Sequence, residues 1–224
     1  MIVMEEFMFK AILFDLDGTL LDTLRDLADS VNAILSSHGM RTFPVNDYRY
    51  FVGKGLRDLI KCVLPEDKVD ERLVDEFLLA MKSEYAQRWA VNTVPYPEMP
   101  ELLDELQRIK LPMAVLSNKA DDFTQIMVKT LLPKWHFQVI RGLKDNFPPK
   151  PDPASALQIA HEMKIQSKDF IYLGDTGIDM QTANAAGMYA VGALWGFRTA
   201  EELKKNGAKN LVESPLQVLE LLNP

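Results

Sequence analysis

The chain predicts an α/β fold, a parallel-sheet core interrupted by an all-helical insertion, and three observations carry that prediction. An apolar run, Ala11-Ile12-Leu13-Phe14, comes first and reads as a strand buried on both faces. From Asp22 to about Asn92 the apolar spacing is helical, with no convincing strand. Beyond about residue 100 short apolar runs alternate with amphipathic stretches, the spacing of strand-helix-strand units whose sheet is covered on both sides.

The first strand delivers Asp15-Leu16-Asp17-Gly18-Thr19 to the carboxyl edge of the sheet, where open α/β folds bind ligands. Leu24, Leu27, Ala28, Val31, Ile34 and Leu35 then share one helix face that Gly39 can end, with Thr23 and Asp26 as a candidate capping box. A second helix is expected from Leu56 to Leu64, stopped by Pro65. In a third, Leu73, Phe77, Met81, Tyr85 and Trp89 recur at steps of four. These helices read as an inserted domain over residues 21–94, between the core segments 1–20 and 95–224, and Pro95, Pro97 and Pro100 mark a stiff return. Leu102, Leu103, Leu106 and Ile109 make the next amphipathic helix. After it come strands at Met113–Leu116, Phe137–Ile140, Phe170–Leu173 and Tyr189–Leu194, alternating with helices at Phe123–Leu132, Pro153–Met163 and Asp179–Ala186. Asp152 and Pro153 suit the N-cap and first turn of their helix, Gly187 closes the next, and Thr199 with Glu202 is a capping box for a last one. The whole is a Rossmann-like core with a helical insertion.

With 224 residues, 47% hydrophobic and 25% charged, the chain has the make-up of a globular protein with a sizeable core. Its net charge of −7 and the lack of a Lys/Arg run argue against nucleic acid and anionic membrane as partners. Cys62 is the only cysteine, which excludes an internal disulfide and a thiolate metal cage; it is expected to be a small buried hydrophobe on a helix. Met1–Glu6 has no basic n-region, and no segment is apolar enough to span a bilayer. A cytoplasmic protein, monomeric or weakly dimeric, is expected.

Four stretches fall at the sheet's carboxyl edge. Asp15 is a carboxylate that can attack phosphorus, and Asp17, two positions on, can handle the leaving-group proton. Gly18 lets the backbone turn close to an anion and Thr19 adds a hydroxyl. Ser117-Asn118-Lys119 offers a hydroxyl and backbone N–H groups to phosphate oxygens. The proline-rich loop Pro148–Pro153 presents Lys150 with little freedom to lose. In Gly174-Asp175-Thr176-Gly177-Ile178-Asp179 two more carboxylates lie four residues apart. Two like charges 4 Å apart repel by roughly 4 kcal/mol at an effective dielectric near 20, so four carboxylates at one mouth require positive charge. Mg²⁺, which takes oxygen ligands and pairs carboxylates with phosphate, suits the site, and Lys150 adds a second positive centre.

This set, in this order, resembles the haloacid dehalogenase-like superfamily over essentially the whole chain. That family's Asp-x-Asp-Gly-Thr, Ser/Thr, Lys and Gly-Asp-x-x-x-Asp motifs are matched by Asp15 to Thr19, Ser117, Lys150, and Gly174 to Asp179. The resemblance implies that Asp15 is the nucleophile and Asp17 the general acid/base. It implies that Mg²⁺ is held by the Asp15 carboxylate, the Asp17 backbone carbonyl and Asp175, and that Ser117 and Lys150 bind the phosphoryl group. Asp179 would support the metal side or orient Lys150, and the helical insertion would be a cap closing over substrate.

Val115–Lys119, Lys150–Pro153 and Trp195-Gly196-Phe197-Arg198 are similar to the phosphoglycolate phosphatase-like branch, which implies a phosphatase acting on a small phosphorylated metabolite. Lys54 and Arg57, in Phe51–Arg57, are the candidate substrate contacts in the cap. A β-phosphoglucomutase-like isomerase or a pyrophosphatase would share the core motifs. Asp17 argues against a true dehalogenase, and the full set of chemical groups argues against a non-catalytic binding or regulatory protein on the same scaffold.

Overall fold

A computed structural model describes residues 8–65, 69–144 and 147–222; Met1–Glu6 lies outside them. The strands, in chain order, are β1 (Ala11–Phe14), β2 (Leu21–Asp22), β3 (Val94–Pro95), β4 (Met113–Ala120), β5 (Val139–Leu143), β6 (Phe170–Gly174), β7 (Tyr189–Ala193) and β8 (Asn210–Val212). Six of them form one parallel sheet in the order β5-β4-β1-β6-β7-β8. The helices are α1 (Leu24–Ser37), α2 (Tyr48–Phe51), α3 (Leu56–Val63), α4 (Glu71–Arg88), α5 (Met99–Arg108), α6 (Asp121–Leu131), α7 (Ala154–Met163), α8 (Gly177–Ala185) and α9 (Ala200–Lys205). Among the described residues no helix is long and apolar enough to cross a membrane.

Strand alternation builds the two sides of the core. Ile12 and Phe14 of β1, Met113 and Val115 of β4, and Ile171 and Leu173 of β6 pack into one cluster with α5 and α6. Their neighbours Ala11, Leu13, Ala114, Leu116, Phe170 and Tyr172 pack into the other with α7, α8 and Leu203 of α9. Burying both faces explains the unbroken apolar runs, and each large side chain so buried contributes roughly 1.5–3 kcal/mol. From β1 the chain moves outward to β4 and β5, then returns to β6 on the other side of β1. The order therefore reverses beside β1, and a crevice opens at that carboxyl edge.

The helices between β2 and β3 have a cluster of their own, in which Leu27, Val31, Leu35, Tyr48, Ile60, Phe77 and Met81 are buried. β2 and β3 pair antiparallel, Leu21 with Pro95 and Asp22 with Val94, as the neck through which the chain leaves and re-enters the core. On α4 the buried side chains are Val74, Phe77, Met81 and Tyr85, with Leu73 only partly covered. A strict step of four drifts by about 40° per repeat at 3.6 residues per turn, so the stripe cannot stay on one face over four turns.

Several details differ from expectation. Cys62 is exposed, because the buried face of α3 is set by Leu59, Ile60 and Val63. β4 runs on through Ala120, so Ser117-Asn118-Lys119 lies within a strand whose register with β5 shifts between Leu116 and Ala120. β5 begins at Val139, two residues late. Pro153, not Asp152, precedes the first turn of α7, and Asp152 instead accepts the Ala154 N–H. β2, β3 and β8 were not anticipated; at two or three residues they are too short to show a period.

The Thr23/Asp26 capping box does not form. Thr23 has helical ψ (−3°), which does not aim its hydroxyl at the first turn, whereas the capping residues Asp70, Thr176 and Thr199 all have ψ near 156–157°. The buried Asp26 carboxylate turns away and accepts five hydrogen bonds, of 2.8–3.0 Å, from Asn92 and Thr93. Burial alone would raise this carboxyl; those donors outweigh it and hold it below the ordinary carboxylate range. Thr199 does accept the Glu202 N–H, at 3.3 Å.

Candidate active site

Asp15 follows β1 and Asp175 follows β6, and the backbone N–H of Asp15 is tied to the Leu173 carbonyl at 2.9 Å. Lys150 reaches in from the proline-rich loop. Its Nζ donates to Asp15 Oδ1 at 2.8 Å, Asp179 Oδ1 at 2.7 Å and the Leu116 carbonyl at 3.2 Å, which uses all three of its protons. Asp179 sits in the first turn of α8 through a capping box: Thr176 N–H and Oγ1 donate to its Oδ2 at 3.0 and 2.6 Å, and Asp179 N–H returns to Thr176 Oγ1. One oxygen of Asp179 thus secures the helix and the other holds the lysine.

Asp15, Asp175 and Asp179 are all buried and each offers an oxygen within 4.8 Å of the others'. Three ionised carboxylates against one ammonium leave two negative charges in a space nearly without solvent. The imbalance shifts the protonation equilibria of the site. Burial, together with Asp179 and Asp175, pushes the Asp15 carboxyl well above its ordinary range despite Lys150. Burial and Asp179 push Asp175 up to about 7, against the pull of the Phe197 N–H and Thr19 hydroxyl. Burial opposes the charge on Lys150, yet Asp15 and Asp179 raise it well above its ordinary value, so it stays protonated. Hard oxygen donors carrying this excess charge fit a small divalent cation.

Gly18 and Thr19 serve the acids. Gly18 has φ +89°, and a Cβ there would meet Asp175 Oδ2 and, at 2.8 Å, the Phe197 ring. Its missing side chain makes room for a carboxylate of the protein. Thr19 Oγ1 donates to Asp175 Oδ1 at 2.9 Å and the residue is fully buried. Phe197 N–H donates to Asp175 Oδ2 at 2.8 Å, and Trp195 Nε1–H donates to the Thr19 carbonyl at 3.0 Å, so Trp195-Gly196-Phe197 is a strap around Asp175. Asn118 is a strut: its Oδ1 accepts the Lys150 N–H at 2.8 Å and its Nδ2 donates to the Lys150 and Gly53 carbonyls at 3.1 Å.

Asp17 stands apart from the three acids. Both its oxygens accept from Lys119 Nζ, at 2.9 and 3.0 Å, and that ammonium lies 4.8 Å from the centre of the Tyr85 ring. Burial opposes the charge on Lys119, but Asp17 and Tyr85 raise its pKa above the ordinary value. Sequence alone gives Lys119 no role, although Ser117 and Lys119 are spaced like Asp15 and Asp17; all four line one cavity that is partly open to solvent. The same cavity is walled by Leu27, Leu56, Leu59, Met81 and Phe123.

The structure does not bring Lys54 and Arg57 to that cavity. Gly53 and Gly55 line it, but Lys54 between them is exposed. Arg57 pairs with Asp75 and, at 2.6 Å, with Glu71 of α4, because it lies off the buried face of α3.

The sequence pattern described as Haloacid dehalogenase-like hydrolase matches residues 12–193, which include Asp15, Asp17, Asp175 and Asp179. A phosphoglycolate phosphatase of Neisseria meningitidis is 31% identical over 222 residues, covering 96% of this chain and 94% of that one. One from Aquifex aeolicus is 31% identical over 188 residues, covering 84% and 86%. Among solved structures, a protein of Lactobacillus delbrueckii subsp. bulgaricus superposes with a TM-score of 0.89 at 29% identity, covering 96% of this chain and 99% of that one. A match over most of the chain that spans the buried acids and Lys150 leaves one conclusion: the chain belongs to the haloacid dehalogenase-like hydrolases.

Proposed function

We propose that this phosphatase is Mg²⁺-dependent and hydrolyses small phosphomonoesters of the 2-phosphoglycolate kind through a phosphorylated Asp15. The observation that carries the reading is the buried group of Asp15, Asp175 and Asp179 around Lys150. The names of the relatives at 31% identity support the substrate class. Mg²⁺ would be held by the Asp15 and Asp175 carboxylates and the Asp17 backbone carbonyl, with Asp179 beside them; bound there, it neutralises charge on the phosphoryl oxygens.

Lys150 holds Asp15 Oδ1, so Oδ2 is the oxygen free to attack. Ser117 and Lys150 orient the phosphoryl group. Asp15 attacks phosphorus, the bond from phosphorus to the ester oxygen breaks, and Asp17 gives that oxygen a proton. In the second half Asp17 takes a proton from water, which attacks the aspartyl-phosphate, freeing Asp15 and inorganic phosphate. Residues 21–94 act as a cap whose closure excludes water from the first half. The reading carries with it a small phosphorylated metabolite as the substrate, a monomer or weak dimer, and a cytoplasmic setting.

The test is phosphate release by the purified chain across phosphomonoesters, including 2-phosphoglycolate, pyrophosphate and sugar phosphates, with and without Mg²⁺. Activity should need Mg²⁺, vanish with chelator, and fall at least about 10³-fold in Asp15→Asn, which keeps an oxygen for Lys150. Turnover of no ester with Mg²⁺ present, or undiminished turnover by Asp15→Asn, overturns the reading.

A further inference from the structure

Among the described residues, three lysines line the cavity: Lys150 is buried, Lys82 is exposed, and Lys119 is intermediate, with its side chain nearly closed to solvent. Its side chain is 8% exposed and is fixed from two sides, by the Asp17 carboxylate and by the face of Tyr85 on α4. If Asp17 protonates the ester oxygen, that oxygen comes within hydrogen-bond distance of a carboxylate whose own oxygens are 2.9 and 3.0 Å from Lys119 Nζ. The first atoms of the leaving group must then pass beside the ammonium. The apolar walls of the cavity are Leu27, Leu56, Leu59, Met81 and Phe123, and its neutral polar side chains are Ser117, Asn118, Thr176 and Tyr85, so Lys119 is the cation that a charged leaving group meets beside Asp17.

We propose, on the basis of the phosphatase reading above, that Lys119 is the specificity-determining residue. It selects phosphomonoesters whose leaving group carries an anionic group, such as a carboxylate, one or two carbons from the ester oxygen. That anion and Asp17 share the ammonium in the substrate complex, and the Tyr85 ring brings Lys119 under control of the cap. A neutral leaving group of the same size, alkyl or polyol, gains no charge–charge attraction from Lys119.

The test compares kcat/KM of the full chain with Mg²⁺ on 2-phosphoglycolate, ethyl phosphate and glycerol 1-phosphate, for the native protein, Lys119→Met and Lys119→Arg. The native chain should prefer 2-phosphoglycolate. In Lys119→Met the ratio of kcat/KM for 2-phosphoglycolate over ethyl phosphate should fall about 10- to 100-fold, chiefly through KM, and Lys119→Arg should restore part of it. Because the ratio cancels any loss common to both esters, an equal fall on both would assign Lys119 to Asp17 alone and overturn the proposal. So would a native preference for ethyl or glycerol phosphate, whatever the variants do. Failure of the native chain to turn over any ester would instead remove the phosphatase reading, and this inference with it.

Discussion

A Cβ on Gly196 would land on the Asp175 side chain and the Gly18 carbonyl, and one on Gly18 would land on Asp175 Oδ2, so two glycines far apart in the chain form one slot for a single carboxylate. Gly196 shows no left-handed φ, so its requirement is space alone. Gly196→Ala should therefore displace Asp175 from the Thr19 and Phe197 donors, lowering stability by about 1–3 kcal/mol in urea unfolding. Phosphatase activity should fall by a larger factor than the lost folded fraction accounts for. A variant with native kcat/KM would show that the slot tolerates a methyl group. Asp15, Lys150, Asp175 and Asp179 were legible in the sequence because each sits beside a strong local signal: a buried strand, a proline-rich loop, or a Gly-Asp turn. The roles of Gly18, Thr19 and Asn118 were not, because Asp175 lies 156 residues beyond Thr19 and Lys150 lies 32 beyond Asn118, and a hydroxyl or amide does not announce which group it meets.

Asp26 joins the first turn of α1 to the strand that brings the chain back. Its five bonds to Asn92 and Thr93 brace the neck just before β3, where the helical insertion rejoins the core. Asp26→Asn loses the charge and several acceptor sites, and should lower stability by about 1.5–3 kcal/mol. The sign of its pH dependence follows from a folded-state pKa held below that of an ordinary aspartate by the Asn92 and Thr93 donors. Such a group contributes its full stability above the unfolded pKa and loses it as pH falls through the folded value. The difference in unfolding free energy between native and Asp26→Asn should be flat from pH 6 to 8 and shrink below about pH 4. A constant difference down to pH 2.5 would remove the carboxylate from the account. The helices of the insertion were legible from their apolar periods, and Thr23 with Asp26 fitted a capping pattern. Pattern alone could not show that the acid was committed to residues 66 positions on. The converse holds for Thr176 and Asp179, where a true capping box went unread because both residues were already explained as part of an acidic turn.

Burying three carboxylates around one lysine gives the folded chain a site that is electrostatically incomplete, and this ties its stability to a ligand. The sheet places Asp15 just after β1, Asp175 just after β6 and Asp179 on the helix that follows, so the charges meet only when the fold forms; the unfolded chain has no such site. A cation that binds the folded form alone stabilises it by RT ln(1 + [L]/Kd), about 2.7 kcal/mol at a hundredfold excess over Kd. For a chain of 224 residues that is a rise in Tm of about 5–10 °C. Mg²⁺ should therefore raise Tm by that amount over the chelated protein, and Ca²⁺, with its larger shell, should compete for the site without restoring full activity. Asp175→Asn removes one charge; its amide oxygen can still accept the Phe197 N–H, while the Thr19 hydroxyl can turn to accept from the amide nitrogen. It should fold, melt at or above the chelated native protein, and show little or no rise with Mg²⁺. A rise in Asp175→Asn equal to that of the native chain would mean that the cation stabilises through some other surface, and that the buried acids are balanced by Lys150 alone.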